Sequence, residues 1–292
     1  MEKIRNKGFI MARPIGIHLS YWQTNWSQDV APFIQKAKQA GFDGAEFPLL
    51  SPFEIDFPFW RAALDEHNMR ATCGTGLNPQ VDITSPDRDI RAAGIRYLEA
   101  CLNGAAVLGS PVLGGLTYAP WGYFPQGDPS VYRCNCIESL KQVAEIAEKN
   151  QVTLCLEVVN RFEGYLINTV QQGLELLQEV NSPFIRLHLD TFHLNIEEDQ
   201  IAPAIRLAAN QLGHFHCCEN NRKRPGLGHI PWPEVRQALD SIQYQGWLVV
   251  ESFVNPAGEV GRDLFIWRTL SDVLDEDATN AAEFLRKEVA GV

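Results

Sequence analysis

Basic residues are in short supply. The 292-residue chain carries 25 Lys and Arg against 36 Asp and Glu, a formal charge of −11. Nucleic-acid and anionic-membrane binding draw on clustered Lys and Arg that neutralise phosphates, so neither is expected as a partner. No Cys-x-x-Cys pair occurs among the seven scattered cysteines Cys73, Cys101, Cys134, Cys136, Cys155, Cys217 and Cys218. Several lie in apolar strand-like runs such as VTLCLEVV, which fits reduced thiols in a cytoplasmic compartment rather than a disulfide framework. Cys134 and Cys136 come nearest to a pair, but at a predicted helix start both cannot face one ion, which argues against thiolate zinc. The basic front of MEKIRNKGFIMARP is not followed by an apolar stretch of signal-peptide length; residues 1–12 read as a disordered extension with Met11 as an alternative start. No Gly/Ser-rich linker or abrupt composition shift divides the remainder, so 13–292 reads as one catalytic domain.

What the chain does have is alternation. From Arg13 onward, short β-branched or apolar runs alternate with longer stretches of helical period, the pattern of repeated βα units around a parallel sheet. Eight units are counted, with strands near Ile15, Ala45, Thr72, Val112, Leu154, Leu187, Phe215 and Val249. Together with 45% hydrophobic and 21% charged residues, this predicts an α/β fold, a single (β/α)₈ TIM barrel. Helices are expected over 30–40 after Asp29, 87–108 before Gly109, 138–148 and 233–242, with shorter ones at 173–179 and 203–211. The acidic residues after Leu270 suggest a closing helix with solvated charges. The proline- and aromatic-rich PLLSPFEIDFPFW after the second strand reads as a loop over the barrel mouth.

The chemistry lies in four positions. Glu157, Asp190, His216 and Glu251 fall at or just past the carboxyl ends of the fifth to eighth predicted strands, where barrel enzymes place their reactive groups. A single Glu at a strand end is ordinarily solvated or salt-bridged, and a single His ordinarily fills the interior. Four such residues at matching ends of neighbouring strands form a constellation. Three carboxylates brought together repel one another unless a cation neutralises them. Oxygen-rich ligation with one imidazole suits a hard divalent ion, Mn²⁺ first, with Co²⁺ or Mg²⁺ as alternatives.

The segments LEVVNRFEGYLINT, LDTFHLNIEED, GHFHCCENNRKRPGLGHIPW and VVESFV, which carry these four residues in order, resemble signature segments of the D-tagatose/D-allulose 3-epimerases. The resemblance runs from about Gly16 to the C-terminal helix and implies a xylose isomerase-like barrel. It implies that Glu157, Asp190, His216 and Glu251 bind the metal. It further implies that Glu163, His193 and Arg222 grip sugar hydroxyls, and that Trp22 and Trp121 wall the pocket, although each tryptophan could equally fill the core. A homo-oligomer, dimer or tetramer, is implied as well. Ser252 stands where the family commonly has proline, and the segment after strand two differs, so the preferred ketose need not be a common one.

Inversion beside a ketone needs one proton removed and another returned on the opposite face; Glu157 and Glu251 are the candidate bases. Substrate oxygens 2 and 3 chelated by the metal would stabilise the enediolate. The rivals are an aldose–ketose isomerase on the same barrel, an epimerase or isomerase of a modified keto-sugar, and a non-catalytic sugar-binding barrel. A metal-dependent phosphodiester hydrolase would want more histidine and a basic face. No Gly-rich loop follows the last strands, so a free rather than phosphorylated ketose is expected.

Overall fold

Each of the eight runs forms a parallel strand in the computed structural model, which describes residues 12–291. The strands are β1 (Ile15–His18), β2 (Gly44–Pro48), β3 (Arg70–Gly74), β4 (Val112–Gly114), β5 (Thr153–Val158), β6 (Ile185–Asp190), β7 (Leu212–Cys217) and β8 (Leu248–Val250). They pair in sequence order, and β1 closes onto β8 through the register Ile15↔Leu248, so the predicted (β/α)₈ barrel is present. The predicted extension lies outside the described residues except for Ala12.

Strand side chains alternate between two environments. Ile15, Ile17, Phe47, Leu187, Leu189 and Phe215 belong to the apolar layer between sheet and helices. The alternate positions, pointing into the barrel, hold an unusual share of polar groups: Glu46, Glu157, His188, Asp190, His214 and His216, all buried.

The helices are α1 (Ala31–Gln39), α2 (Phe57–His67), α3 (Arg88–Leu108), α4 (Pro129–Asn150), α5 (Val170–Val180), α6 (Thr191–Glu197), α7 (Ile201–Ala208), α8 (Trp232–Ser241), α9 (Gly258–Asp263) and α10 (Leu274–Phe284). Their ends follow local chemistry: Asp87 caps α3 by accepting from the Asp89 N–H, and Gly109 ends it at φ +72°. Three expectations need correction. Helix α4 starts nine residues before 138, because Asp128 caps the Ser130 N–H and Pro129 suits a first turn. The back half of PLLSPFEIDFPFW is not loop: Asp56 accepts from the Phe59 N–H and the FPFW run opens α2, while only the front half reaches the mouth. The charges of the closing helix are not all solvated, since Asp275 accepts from the Trp22 indole and Asp277 pairs with Arg224. The seven cysteines form no disulfide, and no helix among the described residues is long and apolar enough to cross a membrane.

Candidate active site

At the carboxyl end of β5, burial would strand an ionised Glu157 without water. Its pKa is pushed well above the usual carboxylate range by that burial and by the neighbouring Glu251 carboxylate. Asp190 ends β6 and also caps α6 through the Phe192 N–H at 2.8 Å, so one side chain fixes both the strand end and the next helix. Burial raises Asp190 to about 7, against the pull of Arg222. His216 sits beside it across the β6–β7 register. Glu251 directly follows β8, its backbone N–H reaching the Cys217 carbonyl at 3.4 Å. Burial opposes the Glu251 charge, but His216 and Arg222 outweigh it and hold the carboxyl well below its ordinary range.

These four side chains converge as the strand-end positions implied: one ligand atom from each lies within 4.8 Å of the others. On two of these residues an atom, Glu157 Oε1 and His216 Nδ1, is buried with no hydrogen-bond partner. Unpaired buried polar atoms are costly, and two of them within a cluster of three carboxylates and an imidazole suit a divalent cation that accepts lone pairs from all four groups. Without a metal, His216 and Arg222 are the neighbouring positive groups. Burial works against a charged His216, but Glu46 and Glu251 on either side of the ring raise its proton affinity well above normal.

Around this cluster stand the residues expected to touch the sugar. His193, on α6, accepts at Nδ1 from Asn160 Nδ2 at 2.8 Å and from the Asn160 N–H at 3.3 Å. Its Nε2 is therefore the protonated nitrogen and lies 3.6 Å from Glu157 Oε1. Burial lowers the ring's pKa to about 4, leaving it neutral. Glu163 accepts from the Trp121 indole at 3.0 Å and from Asn160 Nδ2 at 2.9 Å. Burial opposes its charge, but Arg222 and the Trp121 and Asn160 donors help hold it ionised. Arg222 adopts a left-handed φ of +62°, lies over the Phe192 ring at 3.9 Å, and donates to Asp190 and Glu251 at 3.1 and 3.0 Å. Its loop is tied together by the buried Glu219, which accepts from Gly226, Ile230 and Trp232.

The cleft above the four residues has a volume of about 460 Å³, and Trp121 lines it. Trp22 does not. Its ring packs against Tyr21 and Phe33 and its N–H is spent on Asp275, so it fills core between α1 and α10; the tryptophan lining the cleft on that side is Trp26. Sequence reading also missed His18 and Glu46. His18 ends β1 with Nδ1 accepting from the Ser20 N–H, which leaves Nε2–H toward the cleft. Glu46 joins His214 and His216 from below. Period two was the available signal, because it turns both histidines of GHFHC inward, where they need an acceptor.

The xylose isomerase-like TIM barrel family model matches residues 34–286. A D-psicose 3-epimerase of Ruminiclostridium cellulolyticum is 38% identical, over 93% of this chain and 96% of that protein. An L-ribulose 3-epimerase of a Methylomonas species is 35% identical, over 93% and 96%. The crystal structure of D-psicose 3-epimerase with D-tagatose from Clostridium cellulolyticum H10 superposes with a TM-score of 0.89 at 36% identity, covering 94% of this chain and 99% of that one.

Proposed function

The chain belongs to the xylose isomerase-like TIM barrel family, and we propose that it is a metal-dependent ketose 3-epimerase acting on a free ketohexose or ketopentose. The observation that carries this reading is the convergence of Glu157, Asp190, His216 and Glu251, with Glu157 Oε1 and His216 Nδ1 unpartnered, beneath a cleft of monosaccharide size. Those four residues would hold the metal, Mn²⁺ foremost and Co²⁺ or Mg²⁺ as alternatives. When bound, it supplies a Lewis acid that polarises the ketose carbonyl and acidifies the proton on carbon 3.

The protein's own groups divide the proton transfers. Of Glu157 and Glu251, one would remove the carbon 3 proton as base while the other, carrying a proton on an oxygen not given to the metal, would return one. The two residues stand at the ends of the β5–β8 arc, a separation that suits approach to a substrate from different sides. In the reverse reaction their roles exchange. His193 Nε2–H and Glu163 would orient hydroxyls and keep the proton from moving between carbons 1 and 2. Among the described residues lining the cleft, Arg222 is the single guanidinium or ammonium group, and it is engaged by Asp190 and Glu251. That favours an unphosphorylated sugar. The same reading takes the chain as one cytoplasmic catalytic domain working as a dimer or tetramer; the exposed Phe162, Phe265 and Trp267 are suited to cover by another subunit.

Mn²⁺-loaded protein incubated with D-fructose, D-allulose, D-tagatose and L-ribulose, followed by separation of the products, tests the reading. An epimeric ketose is expected. An aldose product would favour the isomerase instead, and no conversion of any of the four would overturn a free-ketose epimerase.

A further inference from the structure

Glu46 lies on β2, three strands round the barrel from β7 and with no backbone pairing to it. It is fully buried, in a place where an ionised carboxylate is tolerated only if its oxygens are satisfied. Two imidazoles satisfy them: Oε2 meets His214 Nε2 and Oε1 meets His216 Nε2, each at 2.6 Å. An ionised carboxylate only accepts, so both Nε2 atoms carry hydrogen. For His216 this fixes which nitrogen is left over. Nδ1 faces Glu251 Oε1 at 3.4 Å, and it is buried without a hydrogen-bond partner. The contact depends on a narrow interior. A Cβ at Gly114 would press at 3.1 Å on the His188 and His214 rings.

We propose that Glu46 is a positioning residue: by anchoring His216 Nε2–H across the barrel it aims Nδ1, which sheds any proton to become a ligand, at the metal position and thereby sets how tightly the centre holds its divalent ion. The inference rests on the metal reading given above. His214 has a lesser part. It steadies the second oxygen of Glu46, but its loss leaves the Glu46–His216 bond in place.

The test is calorimetric titration of Mn²⁺ into metal-free wild type, Glu46→Gln and His214→Phe, with thermal melts of each protein with and without Mn²⁺. The amide keeps one acceptor but turns an N–H₂ toward the other ring and removes the charge that strengthens His216 as a ligand. Glu46→Gln should bind Mn²⁺ about 10- to 100-fold more weakly, the usual cost of losing such a partner, and its Mn²⁺-induced rise in Tm should shrink. A merely structural role would lower both melts together and leave that rise unchanged. His214→Phe should lose less than roughly 10-fold. Equal Mn²⁺ affinity in Glu46→Gln and wild type would overturn the proposal, as would a loss in His214→Phe as large as that in Glu46→Gln. Absence of binding by wild type would instead bring down the metal reading, and this inference with it. Should Glu46→Gln fail to fold, Glu46→Asp, charged but a methylene too short to meet both rings, is read on the same scale.

Discussion

Strands β5 to β8 and strands β1 to β4 end on the same face of one closed sheet, yet they furnish it with different chemistry. The β5–β8 arc ends on Glu157, Asp190, His216 and Glu251, with Arg222 folded over them. The β1–β4 arc gives His18, Thr75, Leu77 and Leu116 to the cleft wall. One arc concentrates charge that must be neutralised, and the other supplies shape and isolated hydrogen-bond donors. Reaction type should therefore follow the first arc and choice of sugar the second, with Glu46 as the link from β2 to β7.

The sharpest way to break this division is to neutralise an end of the charged arc. Glu251→Gln should cut kcat by about 10² to 10⁴-fold, the range for a lost acid–base group, in steady-state assays on the preferred ketose. A comparable effect from a β1–β4 residue would blur the comparison.

Acidification probes the same arc more gently. Asp190, raised to about 7, Glu157, raised well above the usual carboxylate range, and His216, raised well above its ordinary value, must lose their protons to serve as ligands. Mn²⁺ binding should therefore release protons and weaken as pH falls through about 7, by up to roughly tenfold per unit for each proton released. Titrations in buffers of differing ionisation enthalpy measure this, and affinity independent of pH between 6 and 8 would contradict it.

The wall should respond differently. His18→Phe removes a donor facing the cleft and should raise KM about fivefold, equivalent to roughly 1 kcal/mol, with kcat little changed. A drop in kcat alone would move His18 into the catalytic arc. The smallest effect is expected at Ser252, whose hydroxyl donates to the Lys223 carbonyl at 3.1 Å beside Arg222. Ser252→Ala should cost about 0.5–1.5 kcal/mol of stability and shift KM a few-fold at most, read from melts and steady-state rates.

The same division governed what could be read from the chain. The charged arc was legible because its four residues sit at strand ends, and strand ends can be located from apolar runs. Glu46 was not, because it lies within β2 and its partners are set by barrel closure rather than by neighbours in sequence; His18 ends β1, but a single histidine at a strand end carries no signal by itself. Trp22 and Trp26 lie four residues apart, and only the turn after β1 decides which packs against α1 and which lines the cleft. Helix α2 was hidden by a proline and aromatics that look like loop composition, although Asp56 and Pro58 are proper start signals. Helix α6 escaped because its cap, Asp190, was already read as a ligand.

The central claim, that the β5–β8 arc moves a proton at carbon 3 with the help of a divalent ion, is tested most directly in D₂O. Metal-stripped protein is given D-fructose, D-allulose, D-tagatose or L-ribulose with and without Mn²⁺, and deuterium is followed by NMR. Mn²⁺-dependent labelling at carbon 3 together with the carbon 3 epimer is the predicted result; labelling at carbon 1 or 2, or none with any of these sugars, would contradict it.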